Sequence, residues 1–404
     1  MFAARAPRFT SVQLGPALGF IVFTLGAGCG TATVEPVDDT ADAAAGEPAA
    51  DADLRDAPPV IDADDDHEPL PAFSSYFTRP EPGETDLVLE DLVIQLLADA
   101  PEGATVRAAY YTFSRGRMAE AFVAAYERGV DLHLILDGGN TYNAINTLRA
   151  GLGDRLTLCD DGGCVGDGIQ HNKFILFSEL GDGSRDVVLQ SSANLTNPQI
   201  RQFNNAVVIR GDTTLYEAYG DYWDDLHGQT LDLDYYRSTV GDLRTKVYFF
   251  PRASGDTIVN VLNNVHCDIG ANVYVAMAYF TNPRVAIAET LAEMDAKGCG
   301  VHVVVREESV SASVLAALSS GTVDLAMFAK DAELKTHSKY LIIDGAYGQN
   351  ASHQKLVWTG SHNYTGPALR RHDEALLKIR QDEVFDAFVD DWQHTRSHAP
   401  TLHP

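Results

Sequence analysis

Two short stretches carry the residues with the most chemical reach. His171-Asn172-Lys173 leads into the apolar run FILF, and His337-Ser338-Lys339 leads into YLIID, which ends at Asp344. Each is followed by a second polar group. Ser191-Ser192-Ala193-Asn194 comes after DVVLQ, and Gly360-Ser361-His362-Asn363 comes after KLVWT. Residues i and i+2 of a strand share a face, so His171 points with Lys173 and His337 with Lys339. The apolar residues that follow must be core. An imidazole and an ammonium sharing the end of a buried strand are costly unless an anion sits between them. One H-x-K is an ordinary strand end. Two in register, each trailed by Ser-x-Asn after 23 residues (His171 to Asn194) or 26 (His337 to Asn363), make a pattern that calls for an anionic ligand.

With these motifs the chain resembles the phospholipase D superfamily, whose mark is H-x-K-x4-D followed by G-S-x-N, present twice. The likeness covers roughly Leu87 to Arg380. The second motif fits in full, with His337, Lys339, Asp344, Gly360, Ser361 and Asn363. The first departs at Ser178, where Asp is expected, and at Ser191, where Gly is expected. Farther on, Glu374 matches the carboxylate that orients a catalytic His in relatives, and Asn205 is its neutral counterpart in the first half. The resemblance implies phosphodiester cleavage through a phosphohistidine, without metal or cofactor. One imidazole attacks phosphorus while the other protonates the leaving alkoxide and later activates water. Lys173 and Lys339 balance phosphoryl charge, Asn194 and Asn363 donate hydrogen bonds, and the Ser192 and Ser361 hydroxyls support that shell. The family habit makes His171 the nucleophile. Glu374 is expected behind His337.

The elements that must position these residues recur as two similar halves. In the first, Thr85 to Ala100 reads as an amphipathic helix, 104–113 as a strand, Met118–Arg128 as a helix and 131–139 as a strand. In the second, helix, strand, helix and strand fall at Asp256–Val265, 271–280, Val285–Lys297 and 300–308. Ala104, Val106 and Phe113 align with Ala271, Val273 and Phe280 at a constant offset of 167. Alternating helices and strands with Gly-containing turns predict an α/β fold, two duplicated sandwich lobes at 71–240 and 241–404 with the active site between them. Repeats of this size are too long for a solenoid.

The amino terminus is of another kind. Arg5 and Arg8 precede the apolar run Leu14–Leu25, and Gly26, Ala27 and Gly28 precede Cys29. That is the layout of an export signal over 1–29. It resembles a bacterial lipoprotein signal, which implies lipid on Cys29 and anchoring to a membrane; ordinary cleavage and secretion is the alternative. Residues 30–70 are Ala, Asp, Glu and Pro with few large apolar groups and read as a disordered, self-repelling linker. Residues 31–68 alone hold 13 acids and one base, Arg55. Four cysteines remain beyond Cys29, an even set that in an exported chain favours disulfides over a zinc site. The nearest pairing is Cys159–Cys164 and Cys267–Cys299, with the connectivity open.

Lesser features have simpler readings. The loop CDDGGCVGDG, 159–168, has Asp and Gly enough for calcium but lacks the spacing of a calcium loop, so it is expected to be a disulfide-pinned border of the site. His353, His362 and His372 belong near the second motif, and His133 and His302 to structural positions in strands. His394, His398 and His403 are expected in a solvated tail. Tyr110, Tyr111, Phe113, Tyr279 and Phe280 are expected to pack the core, with one or two walling the substrate entrance.

The 404 residues, 45% of them hydrophobic, are enough for a large core, and a formal charge of −27 excludes a protein that coats nucleic acid by neutralising phosphates. The resemblance, export and acidity together lead to the expectation of a monomeric phospholipase D-type hydrolase acting on phospholipid head-group diesters. No stable nucleic-acid partner is expected. Two alternatives stay open: an exported endonuclease of the same superfamily, and a catalytically weakened phosphodiester-binding protein, motivated by Ser178, Ser191 and Asn205. Arg370-Arg371 is the one adjacent Lys/Arg pair, and no basic stripe with interleaved aromatics is read outside the motifs.

Overall fold

A computed structural model describes residues 70–159 and 162–400. The expected export signal at 1–29 with Cys29, the acidic linker up to residue 69, and His403 lie outside the described residues. No helix among the described residues is long and apolar enough to cross a membrane.

The first half runs β1 (Phe73–Phe77), α1 (Val88–Asp99), β2 (Thr105–Tyr110), α2 (Gly116–Glu127), β3 (Asp131–Leu136), α3 (Asn143–Leu152), β4 (Leu156–Leu158), β5 (Lys173–Glu179), β6 (Arg185–Ser191), β7 (Asn205–Ile209) and α4 (Thr213–Gly228). The second runs β8 (Arg237–Val240), β9 (Thr245–Phe250), α5 (Thr257–Leu262), β10 (Ala271–Met277), α6 (Val285–Ala296), β11 (Gly300–Arg306), α7 (Ala312–Leu318), β12 (Asp324–Phe328), β13 (Lys339–Tyr347), β14 (Ser352–Gly360), α8 (Gly366–Arg370), β15 (Glu374–Ile379) and α9 (Asp382–Ser397). Each expected helix and strand is present, most with shortened ends, while α2 begins two residues earlier than expected, at Gly116. Gly129 and Gly298, at φ +97° and +94°, take the left-handed conformation just after α2 and α6, which favours glycine.

The two sheets have the same order. β4-β3-β2-β5-β6-β7-β1 in the first corresponds to β12-β11-β10-β13-β14-β15-β9 in the second, with β8 added at the edge. Arg237–Val240, placed before the boundary expected at 241, thus already belongs to the second sheet. β2-β3-β4 and β10-β11-β12 pair in parallel; the remaining strands pair antiparallel.

Alternation within the strands sends side chains to two different cores. Outer-facing residues of the first sheet pack under α1, α2 and α3, and those of the second under α5, α6 and α7. The inner faces meet in a middle layer built on α4 and α9, which sit between the sheets. The fold is therefore α/β in five layers. The duplication reaches single hydrogen bonds: Trp223 Nε1 of α4 donates to Ala108 O and Trp392 Nε1 of α9 donates to Val275 O, both at 3.0 Å. Truncating either buried tryptophan would cost about 3–5 kcal/mol. His394 and His398 are not a solvated tail. α9 continues to Ser397, and both rings pack on Phe203, centroids 5.7 and 5.3 Å away. Both nearest-neighbour disulfides, Cys159–Cys164 and Cys267–Cys299, are formed.

Candidate active site

Each H-x-K stands at the entry of the central antiparallel strand of its sheet, where a neighbour fixes it. Lys173 opens β5 opposite Tyr110, and Lys339 opens β13 opposite Met277. The Ser-x-Asn groups follow β6 and β14, the next strands over, so register alone brings them beside the histidines. All of His171, Lys173, Asn194, His337, Lys339, Asn363, Ser192, Ser361 and Glu374 are buried.

The halves are stitched together at this level. His171 N–H donates to Asp373 O at 3.0 Å, and His337 N–H donates to Phe203 O at 2.8 Å. Each histidine therefore enters beside the last β-strand of the opposite lobe, and the residue following that contact faces its ring. Glu374 Oε1 lies 2.9 Å from His171 Nδ1, and Asn204 Oδ1 lies 3.1 Å from His337 Nδ1.

This geometry corrects two expectations. Glu374 backs His171 rather than His337, because the orienting residue crosses between lobes. Its counterpart is Asn204, not Asn205. Ser361 N–H bonds Ala375 O and Ser192 N–H bonds Asn205 O, which makes Asn205 the equivalent of Ala375. The connection is one residue shorter in the first half, so counting along the chain slips by one. The Asn205 amide instead donates to Thr359 Oγ1 across the lobes at 2.6 Å.

The serine hydroxyls are committed to the orienting groups rather than to an open phosphate shell. Ser361 Oγ donates to Glu374 Oε2, and Ser192 Oγ donates to Asn204 Oδ1 at 3.2 Å. Each lysine ammonium donates to the carbonyl of its own histidine, Lys173 at 2.6 Å and Lys339 at 2.7 Å. The Lys339 ammonium also lies 2.9 Å from His337 Nδ1. Both amide atoms of Asn363 and the Oδ1 of Asn194 are buried without a hydrogen-bond partner among the described residues. Buried polar atoms of this kind are what a bound anion or water satisfies. Asp344 stands apart, five residues into β13 and 2.9 Å from His353 Nε2; Ser178, its counterpart, accepts the Thr105 N–H.

Burial, reinforced by Lys173 and Lys339, holds the His171 imidazole well below its ordinary pKa. With Nδ1 facing a carboxylate acceptor, the proton belongs on Nδ1, and Nε2 keeps its lone pair. A neutral imidazole of fixed tautomer can act as a nucleophile. Behind His337 stand the neutral amide of Asn204 and the Lys339 ammonium, with no carboxylate among the described residues at hydrogen-bond distance in the place Glu374 takes behind His171. The site therefore holds two histidines with different support.

The surroundings include residues that spacing did not single out. Asp373 accepts backbone N–H groups from Cys164 at 2.5 Å and Gly166 at 2.6 Å, so the disulfide loop grips the residue next to Glu374. Burial pushes the Asp373 carboxyl up to about 7. Asp137, at the end of β3, accepts the Gln170 N–H at 3.0 Å and so braces the residue before His171. Asp137 had only the following Gly138-Gly139 as a signal in the sequence, and Asp373 had none beyond standing next to Glu374. Among the aromatics, Tyr111 walls the site: its ring lies 5.2 Å from that of His171 and 5.6 Å from the Lys173 ammonium. Tyr110, Phe113 and Phe280 are core. His372 borders the site, 6.1 Å from the His171 ring, and burial pushes it down to about 3. His362 is buried against Phe250 instead, with centroids 4.3 Å apart.

The fold and its duplication have counterparts among known proteins. No curated protein matches the chain. Its fold is similar to polyphosphate kinase from Porphyromonas gingivalis, with TM-score 0.57 and 13% identity over 82% of this chain, which spans half the length of that protein. It is also similar to phosphatidylserine synthase from Haemophilus influenzae, with TM-score 0.55 and 14% identity over 78% of this chain and 85% of that one. The phospholipase D family member Nuc from Salmonella typhimurium aligns with 42% of this chain and all of its own, at 18% identity and TM-score 0.32. The family described as cardiolipin synthase, PLD-like domain matches residues 93–226 and again 260–395, so the chain belongs to this phospholipase D-like family and carries its domain twice.

Proposed function

We propose that this chain is a phosphodiesterase of the phospholipase D type that hydrolyses phospholipid head-group diesters through a phosphohistidine on His171. The observation that carries the reading is the pair of imidazoles from opposite lobes, one backed by Glu374 and the other by Asn204. His171 Nε2 attacks phosphorus, and the bond to the head-group oxygen breaks as His337 gives that oxygen a proton. His337 then takes a proton from water, whose oxygen displaces Nε2 from phosphorus and restores both histidines. Lys173, Lys339, Asn194 and Asn363 hold the phosphoryl oxygens. Glu374 stabilises the positive charge that His171 acquires in the intermediate.

A lipid diester is supported by the acidic body, which disfavours polyanions, and by the expected export signal. Similarity in fold to a phosphatidylserine synthase points the same way and raises a second acceptor: an alcohol in place of water. The test is turnover by the full chain, with EDTA present, of phosphatidylcholine vesicles with and without added glycerol and of single-stranded DNA. His171→Ala/His337→Ala is the control. Choline release with intact DNA supports the lipid reading, and a phosphatidylglycerol product makes the chain a transferase. Cut DNA with untouched lipid makes it a nuclease. Silence on all substrates favours a binding protein.

A further inference from the structure

The duplication supplies a control for surface features, because positions in one half have counterparts in the other. In the first half the 12-residue α1 places Leu92, Val93 and Leu96 in one apolar cluster with Val208 of β7. Its counterpart α5 has 6 residues, and the outer face of β15 and β9 is not closed in the same way. Lys378 stands where β7 has Val208, and Lys246 stands where β1 has Ser74; the two lysines are directly opposite one another in register. Like charges so placed destabilise a sheet. Arg380 follows two residues after Lys378, its N–H donates at 3.2 Å to the carbonyl of Arg244 in the β8–β9 turn, and both arginines line a pocket that Asp382 and Glu383 also line.

Aromatic rings floor this cluster. The Lys378 ammonium lies 5.0 Å from the Tyr347 ring centre and 5.1 Å from that of Trp358, and Lys246 lies 4.9 Å from Tyr248. No carboxylate forms an ion pair with Arg244, Lys246, Lys378 or Arg380 among the described residues, whereas nearby Lys355 has Asp386. Burial, together with Lys246 and Arg380, pushes Lys378 down to about 8. In a chain with 57 acids and 30 bases, two lysines set directly opposite one another with no ion-pair partner among the described residues require an explanation.

The chain carries a matching polyanion. Residues 31–68 hold 13 acids and one base. The chain enters the described structure at Leu70, and hydrogen bonds link its entry to the turn that bears Arg244: Pro71 O accepts from Arg210 Nη1 at 3.4 Å, and Asp212, two residues on, accepts the Asp242 and Leu243 N–H groups of that turn. A dozen extended residues reach about 40 Å, so length does not limit contact.

We propose that the face formed by Arg244, Lys246, Lys378 and Arg380 is the docking surface of the chain's own acidic segment, 31–68. Holding that segment against the domain shortens the reach of whatever precedes it, and salt releases it. The proposal does not depend on which diester is cleaved.

The experiment is zero-length carbodiimide cross-linking of the full chain at low concentration, read by peptide mass spectrometry. The expected result is amide bonds from Lys246 or Lys378 to Asp or Glu within 31–68, lost in 1 M salt at about a 3 Å screening length. Lys246→Ser/Lys378→Val, which installs the first half's residues, should remove these bonds while leaving a Lys355–Asp386 cross-link as proof of folding. Cross-links from 31–68 spread equally over Lys297 and Lys330, or found only between differently isotope-labelled chains, overturn the proposal. So does binding of phosphatidylglycerol vesicles through the two lysines with no cross-link to 31–68, which would make a lipid surface the occupant.

Discussion

Glu374 of the second half lies 2.9 Å from His171 Nδ1 in the first, so the carboxylate and the imidazole it orients come from different lobes. Neither lobe alone holds a supported nucleophile. The reciprocal contact, Asn204 to His337, keeps the geometry but not the charge. The internal duplication has thus become two unequal histidines in one site.

That inequality predicts unequal mutants. Glu374→Gln preserves shape but removes the charge that stabilises a cationic His171, and should lower kcat by about 10³–10⁴-fold, the scale of the equivalent change in a serine-protease triad. Asn204→Ala removes a neutral acceptor and should cost at least about tenfold less. Steady-state kinetics on the same vesicles compares them. Equal losses would mean that the two supports are equivalent and that the assignment of His171 is wrong.

Leaving-group chemistry separates the two histidines directly. A nitrophenyl phosphodiester expels a stable phenolate that needs no proton. His337→Ala should therefore give a burst of nitrophenol from the first step on this substrate, while losing about 10²–10⁴-fold on an alkyl diester, the usual worth of an acid catalyst. His171→Ala should be silent on both. A burst in His171→Ala and none in His337→Ala would reverse the roles.

What the sequence made legible follows from what is periodic or local. The H-x-K and Ser-x-Asn groups sit at strand ends, where the two-residue period and hydrophobic runs place them. Asn204 was missed because one residue fewer separates it from Ser192 than separates Glu374 from Ser361, once their backbone partners are matched. That Glu374 serves His171 was not legible, since the contact spans 203 residues and depends on how the halves pack. The same holds for Lys246 and Lys378, which are far apart in the chain and meet only through the β9–β15 register.

The disulfides should differ in what they protect. Cys159–Cys164 pins the loop whose N–H groups hold Asp373, and Asp373 O in turn accepts from His171. Cys267–Cys299 lies at the opposite end of β10 from Lys339. From loop length, loss of the first should cost about 2 kcal/mol and loss of the second about 3–4 kcal/mol. Cys159→Ser/Cys164→Ser should nonetheless lose more kcat under native conditions, and Cys267→Ser/Cys299→Ser should keep it. Urea unfolding and kcat measured on both variants test this. Unchanged kcat in the first would detach the loop from the site.

The buried histidines also set a pH dependence. His372 ionises at its ordinary value near 6.5 when unfolded but is pushed down to about 3 in the fold by burial. Below pH 6.5 the unfolded chain therefore binds a proton that the folded chain refuses, so His372 removes stability as pH falls from about 6.5 toward 3. By pH 5 the loss is about 2 kcal/mol for such a group. Asp373 and Asp391, each pushed up to about 7, act in the opposite sense over the same range, so the whole protein can conceal the effect. A difference measurement isolates it. Gln202 occupies the equivalent place in the first half, and His372→Gln should gain about 2 kcal/mol on the parent between pH 7.5 and pH 5 in urea unfolding. Parallel curves for the two proteins would show that His372 is free to take its proton in the folded state.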